Sequence, residues 1–167
     1  MQTPLQAYLR SARRRVKFSL GKVRPVRILG LDIGDKRIGI ALSDELALTA
    51  QALEVVERRK GKELERLRSL VEQYKVGIVV VGLPRNMDGS LGPQGKKVLA
   101  FAAELQRELP ASVVLWDERL TTVEAAKHLI RADTSRTRRK QVIDKVAAAL
   151  ILQSYLDAHR EGGTGNT

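Results

Sequence analysis

The chain has 167 residues, 43% of them hydrophobic and 29% charged, with no cysteine and a formal net charge of +11. Its length suits one ordinary domain, and the lack of cysteine excludes disulfides, thiolate metal sites and a cysteine nucleophile while suiting a reducing cytosol. No run approaches the roughly 20 apolar residues of a membrane span, and the arginine-bearing opening has no apolar signal core, so a cytoplasmic protein with no membrane partner is expected.

The charge is uneven. Residues 1–27 hold eight Arg or Lys and no acid, leaving 22 basic and 19 acidic residues in the rest. Residues 1–25 therefore read as a basic, flexible arm that could condense on phosphates and release counterions. A disordered tail or a transit-like segment would look the same.

After the arm, hydrophobic periodicity predicts three short strands in succession, at 26–33, 37–43 and 50–56, with links short enough to favour antiparallel neighbours. A charged helix at 62–74 carries Leu64, Leu67 and Val71 at helical spacing, and an all-apolar strand at 77–81 implies burial on both faces. A Gly- and Pro-rich loop at 83–95 leads to a helix at 96–109, a strand at 113–116 and two closing helices at 123–132 and 139–158. The order βββαβαβαα describes an α/β fold, a mixed five-stranded sheet with helices packed on it. Residues 26–158 form the expected domain, followed by a flexible tail at 159–167.

Three separated acidic segments stand at element ends or on apolar faces: Asp32 before Gly34, Asp117-Glu118 after the strand ending at Trp116, and Asp144 beside Ile143. Hard cations such as Mg²⁺ or Mn²⁺ take oxygen ligands, and a pair of them can clamp both oxygens of a phosphodiester displacement. A basic chain with such acids suggests a nuclease. Asp32 shares strand parity with Gly30, opposite to the core-facing Leu29, Leu31 and Ile33. Of Asp117 and Glu118 only one should reach the site, because strand neighbours point to opposite faces. The other has an ordinary role as partner of Arg119. Asp144 taken alone reads better as an acid favoured by a helix N-terminus.

Candidate phosphate contacts are Lys36 and Arg37 after the first turn, Arg85 and Asn86 in the loop, and Arg136, Arg138, Arg139 and Lys140 before the Asp144 helix. The last group opposes the helix dipole, so a phosphate partner explains it better than a solvated loop does. Thr121 and Glu124 match a capping box, Asp88-Gly89 a tight turn. His128 and His159 are too few for a histidine zinc site and read as structural. Aromatic residues, at 4%, are too sparse for a base-stacking platform, which favours readout of shape and backbone.

Four motifs in order, Leu31-Asp32-Ile33-Gly34-Asp35-Lys36-Arg37-Ile38-Gly39, Val81-Gly82-Leu83-Pro84-Arg85-Asn86-Met87-Asp88-Gly89-Ser90, Asp117-Glu118-Arg119-Leu120-Thr121-Thr122-Val123-Glu124-Ala125 and Val142-Ile143-Asp144, resemble the YqgF/RuvX family across about residues 26–158. That resemblance implies an RNase H-like fold related to Holliday junction resolvases. It implies a nuclease, a hydrolase acting on ester bonds, that matures the 5′ end of the 16S ribosomal RNA precursor. It selects Glu118 over Asp117, and it places Asp144 with Asp32 and Glu118 as the catalytic, metal-holding acids. Cleavage of a four-way DNA junction in recombination is the alternative, favouring a homodimer over a monomer. A ribosomal assembly factor that binds precursor RNA without cutting is the alternative of another class.

Overall fold

Side-chain alternation decides which face of each strand meets which helix. β1 (Arg27–Ile33), β2 (Arg37–Ser43) and β3 (Ala50–Glu57) follow one another through short links and pair antiparallel. α1 (Lys62–Gln73) leads to β4 (Val76–Leu83), parallel to β1, and α2 (Pro93–Glu108) leads to β5 (Ser112–Asp117), parallel to β4. The closing helix, α3, spans Arg136–Glu161. These strands make one mixed five-stranded sheet in the order β3-β2-β1-β4-β5. The computed structural model describes Gln6, residues 26–123, 125, 126 and 136–161. The rest of the basic arm, Glu124, His128, the tail from residue 162, and the side chains of Arg136, Arg138, Arg139 and Lys140 lie outside the described residues.

Leu29, Leu31 and Ile33 of β1 join Ile38, Ile40 and Leu42 of β2 and Val79, Val81 and Leu83 of β4 in the larger core, closed by Leu67, Leu70 and Val71 of α1 and Val98, Phe101 and Leu105 of α2. The opposite parity gives a second core, in which Ile28, Ala41 and Val80 meet Ala147, Ala148, Ile151, Leu152, Tyr155 and Leu156 of α3. β1 and β4 are thus covered on both sides, which is why their sequences are almost wholly apolar. The α3 residues recur at three- and four-residue steps, an amphipathic stripe. It lies close to the sheet because glycines lie beneath it. A Cβ on Gly30 would stand 2.6 Å from Leu152 Cβ, and one on Gly39 only 2.0 Å from the Asp144 carbonyl oxygen.

Element bounds differ from the sequence reading by a few residues, for identifiable reasons. α2 begins at Pro93 rather than 96, with Gly92 as N-cap, because proline's fixed φ suits the first helical position. α3 begins at Arg136 rather than 139, so the basic run forms its first turn instead of preceding it. Of the helix expected at 123–132, Val123, Ala125 and Ala126 are helical and the remainder lies outside the described residues.

Candidate active site

One row of residues crosses the α3 face of the sheet. Asp32 is paired with Gly39 of β2, and one step beyond the Leu31–Val81 pair Gly82 of β4 stands level with Asp32. Gly82 in turn pairs with Trp116 of β5. Neighbouring strands are about 4.8 Å apart, so Asp32 has a glycine beside it on each side. What fills those two gaps is informative. The Asp144 backbone rests over Gly39, and Glu118 Oε1 lies 2.9 Å from where a Cβ on Gly82 would be. The fold therefore brings Asp32, Glu118 and Asp144 to one patch, although they are far apart in sequence.

Strand parity separates the two acids after β5. Trp116 faces α3, donating its indole N–H to Ser154 Oγ at 3.1 Å and meeting Tyr155 edge-on at 5.4 Å between ring centres. Asp117 therefore turns away, and Glu118, in a 3-10 turn at Glu118–Leu120, returns to the Asp32 side. Asp117 takes the ordinary role: its carboxylate accepts from Arg119 Nη2 at 2.6 Å, with Arg85 Nη1 at 3.5 Å. Arg119 reaches further, donating to the Asn86 and Met87 carbonyls at 3.5 and 3.4 Å. It braces the loop between β4 and α2 against the end of β5.

The Asp117 carboxyl is held below the ordinary aspartate range, first by the Arg119 side-chain hydrogen bond, with the Arg119 N–H and the charges of Arg119 and Arg85 adding and burial opposing. A folded-state pKa below the unfolded one means that this carboxylate contributes stability above the unfolded value and loses it as pH falls through the folded value. Asp117→Asn should accordingly be less stable than the unaltered chain at neutral pH, and the gap between their thermal midpoints should narrow below about pH 4. A gap that stays constant with pH would show that the charge of Asp117 does not brace the loop.

The basic residues divide. Lys36 is exposed at the turn, with its backbone carbonyl bound by the Arg58 N–H at 2.9 Å. Arg37 is turned inward, its Nε donating to Asp144 Oδ2 at 2.9 Å. Arg85 leans on Asp117 while its Nε is buried without a partner. The Asn86 amide donates to Ser90 Oγ at 2.9 Å, and Asp88 accepts from the Ser90 N–H at 2.9 Å, so much of the loop's polarity serves the loop itself. Gly89 there has φ +85°, the left-handed value its place in the turn requires. Thr121 Oγ1 donates to the Glu118 carbonyl at 2.6 Å and accepts from the Val123 N–H at 3.4 Å, as a helix cap does; Glu124, the other half of the expected capping box, lies outside the described residues. His159 stacks on Tyr155 with ring centres 4.0 Å apart, in keeping with a structural role.

Sequence reasoning passed over two kinds of residue. Gly39 and Gly82 carried a usable signal, since a glycine inside an apolar strand marks a close approach. Arg58 carried none. It closes the β1–β2 turn from outside, with Nη1 donating to the Gly34 carbonyl at 3.0 Å and its guanidinium 4.6 Å from the Phe101 ring centre. A cavity of about 350 Å³ bordered by Arg27, Ser43, Asp44, Gln51 and Tyr74 lies at the other end of β1 and β2, away from the acids.

The donor chemistry suits a hard divalent cation, because carboxylates are the ligands Mg²⁺ and Mn²⁺ prefer. Asp32 and Glu118 fit such an ion. The Asp144 carboxylate is engaged with Arg37, and among the described residues no three acidic or histidine side chains are gathered closely enough to hold a metal.

The fold has known counterparts. Thermus thermophilus RuvC, in a structure titled as its complex with a Holliday junction substrate, aligns with TM-score 0.54 at 16% identity, over 83% of this chain and 97% of that one. A second structure of Thermus thermophilus RuvC gives 0.51 over 81% and 97%. The architecture is therefore RNase H-like. Sequence relatives are much nearer. A Pelotomaculum thermopropionicum protein is 56% identical over 147 residues, covering 84% of this chain and 96% of its own length. One from Thermoanaerobacter pseudethanolicus is 52% identical over 137 residues, 81% of this chain and 99% of that protein. Both carry the provisional name pre-16S rRNA nuclease. Residues 26–158 match the family described as RuvX, Holliday junction resolvase, and this chain belongs to that family.

Proposed function

We propose that this chain is a metal-dependent nuclease that hydrolyses phosphodiester bonds in structured nucleic acid, acting in the cytoplasm on the 5′ end of the 16S ribosomal RNA precursor. The observation that carries this is the row Gly39, Asp32, Gly82. Two residues without side chains flank a nearly buried carboxylate and admit the Asp144 backbone on one side and the Glu118 carboxylate on the other. Relatives more than half identical and named for this activity supply the substrate class.

In this reading Asp32 is the central ligand, Glu118 the second, and Asp144 the third once its carboxylate turns from Arg37. Mg²⁺ or Mn²⁺ held there supplies the acidification of water and the neutralisation of charge that phosphodiester hydrolysis needs. The chain's own residues do the rest. Gly34 and Gly39 shape the floor of the site, and the Arg119 brace fixes the loop that carries Arg85 and Asn86. Lys36, Arg85 and the basic first turn of α3, with Arg136, Arg138, Arg139 and Lys140, meet phosphates on either side of the cut. The basic arm adds affinity that weakens with salt.

The family's description favours a second reading, cleavage of four-way DNA junctions. The deciding experiment incubates the full chain and Mg²⁺ or Mn²⁺ with ribosome-bound precursor RNA and, side by side, with a four-way junction. Cleavage of the precursor at its 5′ side supports the main reading. Paired cuts in the junction by a dimer support the second, since symmetric cleavage of two strands needs two sites. Binding of the precursor without cleavage of either would make the chain an assembly factor.

A further inference from the structure

Arg37 and Asp144 stand 107 positions apart in sequence, yet Arg37 Nε donates to Asp144 Oδ2 at 2.9 Å, with the side chains 29% and 22% exposed. Both backbones are anchored. Arg37 opens β2, and its carbonyl accepts from the Gly34 N–H at 2.9 Å, in a turn that Arg58 ties down from β3. Asp144 is fixed because its backbone fills the gap over Gly39. Arg37 shares the parity of Gly39, two residues on, so it emerges on the face where Asp32 and Asp144 lie. Two fixed backbones joined by two side chains that can rotate make a contact that opens without moving either element.

We propose that Arg37 is a stand-in cation that occupies the Asp144 carboxylate until a divalent ion takes it, and that the displaced guanidinium then turns to a phosphate of the nucleic acid. The proposal rests on the metal-dependent reading above and adds a residue exchange to it. The pair rests on a single N–H···O contact between partly buried side chains, and a doubly charged ion has twice the attraction of a guanidinium for the same carboxylate at equal distance. Competition of this kind lowers the apparent affinity for the ion by the fraction of molecules in which Asp144 is engaged. It also couples the cation to the substrate, because the freed group is an arginine, the side chain best shaped for phosphate.

The test is calorimetric titration of Mn²⁺ into the full chain and its Arg37→Gln and Arg37→Lys variants. Arg37→Gln removes the competitor and should bind Mn²⁺ roughly two- to fivefold more tightly, the equivalent of one modest ion pair. Arg37→Lys, which keeps the charge but not the fixed fork, should fall between the two and guards against a folding defect in the first variant. A second measurement compares affinity for a four-way junction with and without Ca²⁺. The penalty of Arg37→Gln should appear only with the cation, because without it the arginine is engaged by Asp144. Equal Mn²⁺ affinity in all three chains, or weaker binding by Arg37→Gln, overturns the exchange and leaves the metal site standing. A junction penalty of the same size with and without Ca²⁺ overturns it as well. No Mn²⁺ binding by any of the three overturns the metal-dependent reading and the exchange together.

Discussion

Asp32→Asn is expected to reduce cleavage by about a hundredfold or more, since even loss of an outer partner of a metal ligand costs about 10–100-fold, while leaving the fold intact. The expectation follows from where the residue lies. Asp32 is only 9% exposed on a central strand, between two glycines, with Glu118 over one and Asp144 over the other. Asparagine has the same shape, so neither core is disturbed, but it removes a charge from a patch of three acids. The substitution conserves volume, so the variant should melt close to the unaltered chain when no divalent ion is present. Adding Mn²⁺ should raise the midpoint of the unaltered chain, because an ion that prefers the native state stabilises it by mass action, and should do so far less for Asp32→Asn. Full activity in the variant would remove Asp32 from the chemistry. An undiminished Mn²⁺ response would remove it from the metal site.

Much of this site was legible because its cues are local. Strand parity predicted that only one of Asp117 and Glu118 faces the Asp32 side, the family resemblance named Glu118, and Asp117 has the ordinary partner expected for it, Arg119 two residues on. The antiparallel start of the sheet was legible from link lengths, since short links cannot cross over. What stayed hidden depends on approach between distant segments. Nothing in the sequence near Arg37 announces Asp144. The closing helix was expected from Arg139, and the basic residues around its start, which oppose the helix dipole, were given a phosphate partner. The helix begins three residues earlier, at Arg136, with those basic residues in its first turn.

Gly39→Ala and Gly82→Ala should fail in different ways, and the difference tests whether these glycines build the site or merely tolerate it. An added methyl on Gly39 would lie 2.0 Å from the Asp144 carbonyl oxygen and 2.5 Å from its carbonyl carbon, both backbone atoms of α3. Backbone cannot swing aside, so the helix must lift from β2. Overpacking of a tight contact costs about 1–3 kcal/mol and sometimes more, and here it also carries Asp144 away from Asp32, so stability and activity should fall together. On Gly82 the methyl would meet Ile151 Cδ1 at 2.5 Å and Glu118 Oε1 at 2.9 Å, both at the far ends of rotatable side chains. Those can move. Gly82→Ala should therefore lose about 1 kcal/mol or less of stability, at the low end for overpacking, while pushing the Glu118 carboxylate out of its place and lowering cleavage at least tenfold. Thermal midpoints and single-turnover rates measured on both variants separate the cases. If Gly82→Ala cleaves at the unaltered rate, Glu118 acts from some other position or not at all, and the row across β2, β1 and β4 is packing without chemistry.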